Sequence, residues 1–260
     1  ECSGGGTKGS LSENVATIAI GDVHGNRAAL DDLLDRLEAE LDAGDTVVFL
    51  GDYIDRGPDS KGCIDSILRF RTKTQATVVT PLGNHEDGLL RTLEHPHRYS
   101  WLTVMQGLAT VRSYSADAAD VLASALESAG PRLVLDRVAL PYEAFLDAMP
   151  PEHLAFFKGL KPFCRTADCV CVHGGLDPRR GPAEQQTRQT MICGASTFLT
   201  DYIGPDLVVH GHWDNSTPDA RGWPVPAFGP ASIGIDTISH GVLTALRLPD
   251  RRVFQSDRFT

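Results

Sequence analysis

Five short segments concentrate aspartate, histidine and asparagine beside glycine: Gly21-Asp22-Val23-His24-Gly25, Gly51-Asp52-Tyr53-Ile54-Asp55-Arg56-Gly57, Gly83-Asn84-His85-Glu86, His173-Gly174-Gly175 and His210-Gly211-His212. Carboxylate, imidazole and amide groups are the ligands that hard and borderline divalent ions such as Mn, Fe and Zn take. Two such ions about 3.5–4 Å apart polarise a phosphoryl oxygen and turn water into hydroxide at neutral pH. A ligand shared by both must be a carboxylate, which alone offers two anionic oxygens. One segment by itself would carry no weight, because Asp-Gly and Asn-His pairs are common in turns. Five in series, the first four each following an apolar run, describe a metal site assembled along one edge of a sheet. That is the pattern of a hydrolytic metalloenzyme.

Those side chains need strands that end where they stand. Residues 15–20 form a β-branched, apolar run closing at Gly21, which suits a buried strand. Residues 28–41 carry Leu30, Leu33, Leu34, Leu37 and Leu41 at helical spacing, with acids on the other face. A second strand is predicted over 46–50, a helix over 61–70 and a third strand over 76–81. From Asp22 to Asp52 is 30 residues and from Asp52 to Asn84 is 32, the length of a βαβ unit. Repeated units of this kind predict a parallel sheet with its ligands at the carboxyl ends of the strands. A helix over about 86–93 follows the third segment.

Between about 94 and 165 the pattern is helical, at 101–111, 117–128 and 142–149 and again from Pro150-Pro151, where proline fits the first turn. No strand is predicted there, and the region reads as a helical insertion beside or over the strand ends. Strand pattern returns at 169–172 and 207–210. Residues 232–236, 243–248 and 253–255 read as antiparallel strands finishing a second sheet.

At 260 residues the chain can bury one α/β core, taken as a single domain over 15–260. Residues 1–14 begin without methionine and read as a flexible polar leader, either a cloning remnant or what natural processing leaves. A net charge of -10 argues against general affinity for nucleic acid or an anionic membrane, and no run of 18 apolar residues exists to span one. Six cysteines without a CxxC pair argue against structural zinc and read as buried thiols in a reducing cytosol. Cys169 and Cys171, in a strand with alternating faces, read as poorly placed to bond to each other.

In type and order the segments GDVHG, GDYIDRG, GNHE, HGG and HGH resemble the calcineurin-like metallophosphoesterase superfamily, specifically its phosphoprotein phosphatase branch, over roughly residues 17–248. Within that branch the chain is similar to compact bacterial phosphatases and symmetrical diadenosine tetraphosphatases. The resemblance implies a four-layer αββα sandwich of two mixed β-sheets with helices outside. It implies two divalent ions, manganese first and iron or zinc next. Asp22 and His24 would hold the first, Asp52 would bridge, and Asn84, His173 and His212 would hold the second. It further implies that His85 protonates the leaving oxygen, oriented by Asp55. Arg56 and Asn84 would contact a substrate phosphate, whose oxygens a guanidinium fork fits better than an ammonium does. A metal-bridging hydroxide would attack phosphorus directly, with no phosphoenzyme.

The leading substrate expectation is a phosphomonoester: protein phosphoserine or phosphothreonine, phosphotyrosine, or a small phosphate ester. The alternative on the same core is a dinucleoside polyphosphate such as diadenosine tetraphosphate, for which Arg91, Arg98, Tyr99 and Trp101 of the insertion and Trp213 after His212 are candidate contacts. An inactive interaction module of this fold is the third reading, opposed by the presence of every expected ligand and of His85. One departure stands out. Relatives carry an arginine between HGG and the last histidine, whereas Thr190-Met191-Ile192-Cys193-Gly194-Ala195-Ser196-Thr197 has none, and Arg179 and Arg188 stand out of register. His210 reads as structural, Asp236 as a strand-end cap or a neighbour of the site, His240 as a turn residue, and His95, His97 and His153 as surface or insertion histidines.

Overall fold

In the computed structural model, which describes residues 15–195 and 202–259, three strand–helix units open the chain. They are β1 (Thr17–Ile20) with α1 (Arg27–Glu38), β2 (Thr46–Phe49) with α2 (Ser60–Lys73), and β3 (Thr77–Val79) with α3 (Asn84–Glu94). Six helices follow: α4 (Ser100–Val104), α5 (Gly107–Tyr114), α6 (Ala116–Ala129), α7 (Arg132–Leu135), α8 (Glu143–Ala148) and α9 (Pro151–Lys158). Next come β4 (Cys164–Arg165), β5 (Val170–Val172), α10 (Arg188–Cys193) and β6 (Val208–His210). The chain closes with β7 (Thr217–Pro218), β8 (Pro224–Val225), β9 (Ala227–Phe228), β10 (Ser232–Gly234), β11 (Thr244–Leu248) and β12 (Arg252–Gln255).

Two five-stranded sheets result, ordered β12-β11-β1-β2-β3 and β4-β5-β6-β10-β9, with β7 and β8 as a separate ribbon. In the first sheet β1, β2 and β3 run parallel, and β11 joins β1 antiparallel. In the second, β5, β6 and β10 run parallel. Period-two alternation divides the side chains among the layers. Ile18, Ile20, Val47 and Phe49 face α1 and α2 and pack with Leu30, Leu33, Ile64 and Ile67. Ala19, Val48 and Leu50 face the other sheet and meet Cys171, Val209 and Ile233. Val170, Val172 and Val208 point outward to Met191 of α10. This is the expected αββα sandwich of two mixed sheets, and burial of each such Leu, Ile or Phe contributes about 1.5–3 kcal/mol.

Three expectations are corrected. The tail strands do not form an antiparallel set in the second sheet: β10 runs parallel to β6, while β11 and β12 extend the first sheet beside β1. Apolar periodicity marks a strand but carries no information on its direction or its neighbour. Strand structure also appears before residue 165, where β4 pairs antiparallel with β5; two residues are too few to show a period. Finally, Cys169 and Cys171 stay unbonded as expected, but the reason is corrected: residues two apart on an extended chain share a face, and the two sulfurs lie 3.5 Å apart. Cys63, Cys164, Cys169, Cys171 and Cys193 are free thiols, and Cys2, with the rest of the leader, lies outside the described residues.

The helices between α3 and β4 dock on α2 through polar contacts as well as apolar ones. Thr110 Oγ1 lies 3.0 Å from Ser60 Oγ, and the Lys61 N–H donates to Ser113 Oγ at 3.0 Å. His153 is fully buried and joins Tyr114 Oη at 2.7 Å to Asp65 Oδ1 at 3.0 Å. No helix among the described residues is long and apolar enough to cross a membrane.

Candidate metal centre and active site

Five of the candidate site residues hold a left-handed backbone that side chains rarely adopt: His24 (φ 44°), Asp52 (51°), Asp55 (71°), Arg56 (67°) and His212 (63°). Such conformations cost about 1–3 kcal/mol each and persist only where the surroundings over-determine them. Much of that constraint comes from Glu86, to which no role is assigned by the sequence. Its carboxylate accepts from the backbone N–H groups of Asp52 (3.0 Å), Tyr53 (2.8 Å), Ile54 (3.3 Å) and Gly83 (3.2 Å). The second segment is thus wound around the glutamate of the third. Burial and the nearby Asp52 and Asp55 carboxylates push Glu86 up to about 8, while the His85 imidazole and the Ile54 N–H pull the other way. The sequence did hold a signal: a glutamate at the third helical position reaches back to cap its own helix start.

The glycines of the motifs are there for close approach. A Cβ on Gly83 would overlap Asp52 Oδ1, and one on Gly211 would overlap Asp22 Oδ1. The carboxylates lie directly on neighbouring backbone.

Asp52 turns one oxygen to each half of the site. Its Oδ2 is 3.5 Å from His24 Nε2 and 3.8 Å from His85 Nε2, and its Oδ1 is 3.3 Å from His173 Nε2. Ligand atoms of His24, Asp52 and His85, and of Asp52, His173 and His212, lie within 4.8 Å of one another. Asp22 Oδ2 stands 4.0 Å from His24 Nε2 and accepts the His212 N–H at 3.1 Å. Asn84 Oδ1 is 2.9 Å from His173 Nε2.

The donor set fits two divalent cations. Nδ1 of His24 lies 3.1 Å from the Ile54 carbonyl and Nδ1 of His173 lies 3.0 Å from that of Leu50. A carbonyl only accepts, so each Nδ1 carries a hydrogen, the arrangement that leaves Nε2 of a metal-ligating histidine for an ion. Burial lowers His24 to about 3 and His212 to about 4, keeping both neutral. Asp22 is pushed well above the ordinary carboxylate range by burial, Asp236 and Asp52, a crowding of anions that bound cations relieve. Burial also raises Asp52, but His173 and then His85 beside it outweigh burial and hold it well below the ordinary range.

At the edge of this cluster His85 Nδ1 sits 2.7 Å from Asp55 Oδ2, and His85 Nε2 lies 3.3 Å from Nη2 of the exposed Arg56. Burial disfavours the imidazolium, but Asp52, the Asp55 hydrogen bond and Glu86 prevail and hold His85 above its ordinary value. Such a group carries a proton to give away.

The other candidates fall outside or around this arrangement. Trp101 is fully buried with its indole N–H on Asp55 Oδ2 at 2.8 Å, so it is not available to a substrate base. Arg188 pairs with Asp87, which also takes Arg91 at 2.6 Å, while Arg179 sits on Asp177 at 2.9 Å. Ser196 and Thr197 of the stretch without arginine lie outside the described residues. His210 is buried behind Gly211 and lowered to about 4 by burial. Asp236 combines both readings given to it: it accepts the Ile238 N–H at 3.2 Å, and its charge raises Asp22. His240 pairs with Asp214 at 3.1 Å, and the His95 and His97 rings lie tilted against each other, centroids 5.7 Å apart. Trp213 packs its ring edgewise against His212, centroids 4.9 Å apart, anchors its indole N–H on the Gly194 carbonyl and remains 39% exposed.

Residues 16–229 match the calcineurin-like phosphoesterase family, and the chain belongs to it. A symmetrical bis(5'-nucleosyl)-tetraphosphatase of Nitrosospira multiformis is 27% identical over 94% of this chain and 96% of that protein. A zinc-dependent endopolyphosphatase of Saccharomyces cerevisiae is 32% identical over 34% of this chain, a match spanning 26% of the yeast protein. A solved structure provisionally assigned as a diadenosine tetraphosphatase superimposes with a TM-score of 0.60 over 94% of each chain at 22% identity, a likeness of fold.

Proposed function

We propose that this chain hydrolyses dinucleoside polyphosphates such as diadenosine tetraphosphate, splitting a phosphoanhydride symmetrically. The observation that carries this reading is the extent of the Nitrosospira likeness, which runs almost end to end through both chains, helices and tail included. Trp213 supports it, because an anchored, exposed indole beside a metal ligand offers a face on which a base can stack. Asp22, His24, Asp52, Asn84, His173 and His212 would hold two divalent ions, manganese foremost, whose chemistry when bound would be Lewis acidity and a lowered pKa for water. Arg56 grips phosphate oxygens at the exposed rim, with Asn84 beside it. His85 gives its proton to the departing phosphate oxygen, and Asp55 stabilises and orients the imidazole meanwhile. Free thiols at the described cysteines support a reducing, cytoplasmic setting.

The test compares initial rates of the manganese-loaded protein on diadenosine tetraphosphate and on phosphoserine, phosphothreonine and phosphotyrosine peptides. Faster turnover of the dinucleotide to ADP alone is expected. Trp213→Ala should raise its KM about 10-fold, within the range of base–aromatic stacking, and leave hydrolysis of p-nitrophenyl phosphate unchanged. Faster turnover of the peptides would reinstate the phosphoprotein reading. Metal binding without turnover of either would favour the inactive module.

A further inference from the structure

Asp55 is reached from a direction the motifs do not contain. Its Oδ2 accepts from the Trp101 indole N–H at 2.8 Å as well as facing His85 Nδ1. Its Oδ1 accepts from the Thr110 hydroxyl. Its own N–H donates to Thr110 Oγ1 at 2.9 Å and to Ser60 Oγ at 3.0 Å. Asp55, Trp101 and Thr110 are all fully buried. Trp101 belongs to α4 and Thr110 to α5, both within the helical stretch that the sequence reads as an insertion beside or over the strand ends.

The chemistry of these contacts is specific. Two neutral donors on a buried carboxylate stabilise its ionised form and occupy two of the three lone-pair sites that are not directed at His85. They also fix the plane of the carboxylate, and with it the orientation of the ring. Asp55 stands in a left-handed conformation at φ 71°, so its backbone has to be held, and Thr110 holds side chain and backbone at once. The indole is itself seated closely: a Cβ on Gly107 would stand 2.6 Å from Trp101 Cε2, and one on Gly88, in the helix that carries His85, would stand 3.4 Å from Trp101 Cδ1. Phe145 of α8 stacks on the ring at 5.9 Å.

We propose that Trp101 and Thr110 are positioning residues for leaving-group protonation. The helices after α3 complete the proton-donating dyad by fixing Asp55, which in turn fixes His85. This rests on the reading of His85 as the acid and Asp55 as its orienter, and the controls separate the two.

The variants are Thr110→Val, Thr110→Ser, Trp101→Phe and His85→Ala, all metal-loaded. Rates are measured on p-nitrophenyl phosphate and on phenyl phosphate, whose poorer leaving group needs more protonation. General acids supply about 10²–10⁴-fold, so misdirecting this one through Thr110→Val should cost about 10-fold in kcat on phenyl phosphate and about 2-fold or less on p-nitrophenyl phosphate. KM should hold, and Thr110→Ser should recover the loss. A second readout needs no turnover. In the magnesium-loaded protein the downfield His85 Nδ1–H resonance, identified by its disappearance in His85→Ala, should vanish by solvent exchange in Thr110→Val and Trp101→Phe and persist in Thr110→Ser. If His85→Ala slows both substrates equally, the acid assignment fails. If His85→Ala discriminates while Thr110→Val and Trp101→Phe keep the wild-type leaving-group dependence and the resonance, the helices only pack against the site and the proposal is overturned.

Discussion

Two regions meet at Asp55 and do so by different physics. On the sheet side every metal-facing group sits at or just beyond the carboxyl end of a strand, on a tight loop with glycine neighbours. Its position follows from local conformation plus pairing of parallel strands. On the helical side Trp101 and Thr110 occupy ordinary helical positions with no motif around them. They reach the site only because α5 docks on the start of α2 through Ser60–Thr110 and Lys61–Ser113 contacts, with His153 tying Tyr114 to Asp65 further along. The sheet edge supplies the chemistry in concentrated form, and the helical layer supplies orientation at a distance in sequence. Removing a metal-facing group from the first should abolish reaction whatever the leaving group, whereas removing His85 or one of the groups that orient it should act in proportion to how much the leaving group needs a proton.

The sharpest way to break this contrast is Asp52→Asn. Loss of one anionic oxygen from the only side chain that stands in both ligand groups among the described residues should reduce turnover to background on good and poor leaving groups alike and lower the metal content per chain. Retained two-metal stoichiometry with leaving-group-dependent loss would place Asp52 in the orienting class instead. Next in size is Glu86→Ala. It strands four backbone N–H groups at about 1–3 kcal/mol for each one left unsatisfied. Activity and thermal stability should fall together, Tm by about 5 °C or more. An inactive variant with wild-type Tm would show that Glu86 acts on the chemistry rather than on the loop.

The smallest effect concerns His210, which is buried at the end of β6. Its folded value of about 4 lies below the ordinary value, so its stabilising neutral form contributes fully above about pH 6.5 and is lost as pH falls toward 4. At pH 5 the loss is on the order of 2 kcal/mol. The wild-type midpoint should therefore drop between pH 7.5 and pH 5 by several degrees more than that of His210→Gln, compared by thermal melts. Equal drops would mean that other groups govern acid lability.

By itself the sequence determined which candidate residues gather at the site and in what layout. Carboxylate, imidazole and amide types, glycine at the crowded positions, and intervals of one strand–helix unit were enough to place Asp22, His24, Asp52, Asn84, His85 and His173 at the strand ends, because each lies within a few residues of the strand that carries it. His212 was readable for the same reason, one residue past a strand-end glycine. Tertiary structure alone decided what depends on long separations. The direction and neighbours of the tail strands follow from how the chain crosses between sheets. The anchoring of Asp55 follows from helix docking across 46 and 55 residues. Glu86 stands between: its place in the motif was visible, but its four backbone partners exist only once Asp52, Tyr53 and Ile54 have folded around it. Local chemistry is written in residue type and spacing, whereas orientation depends on packing, and packing is set by the whole core.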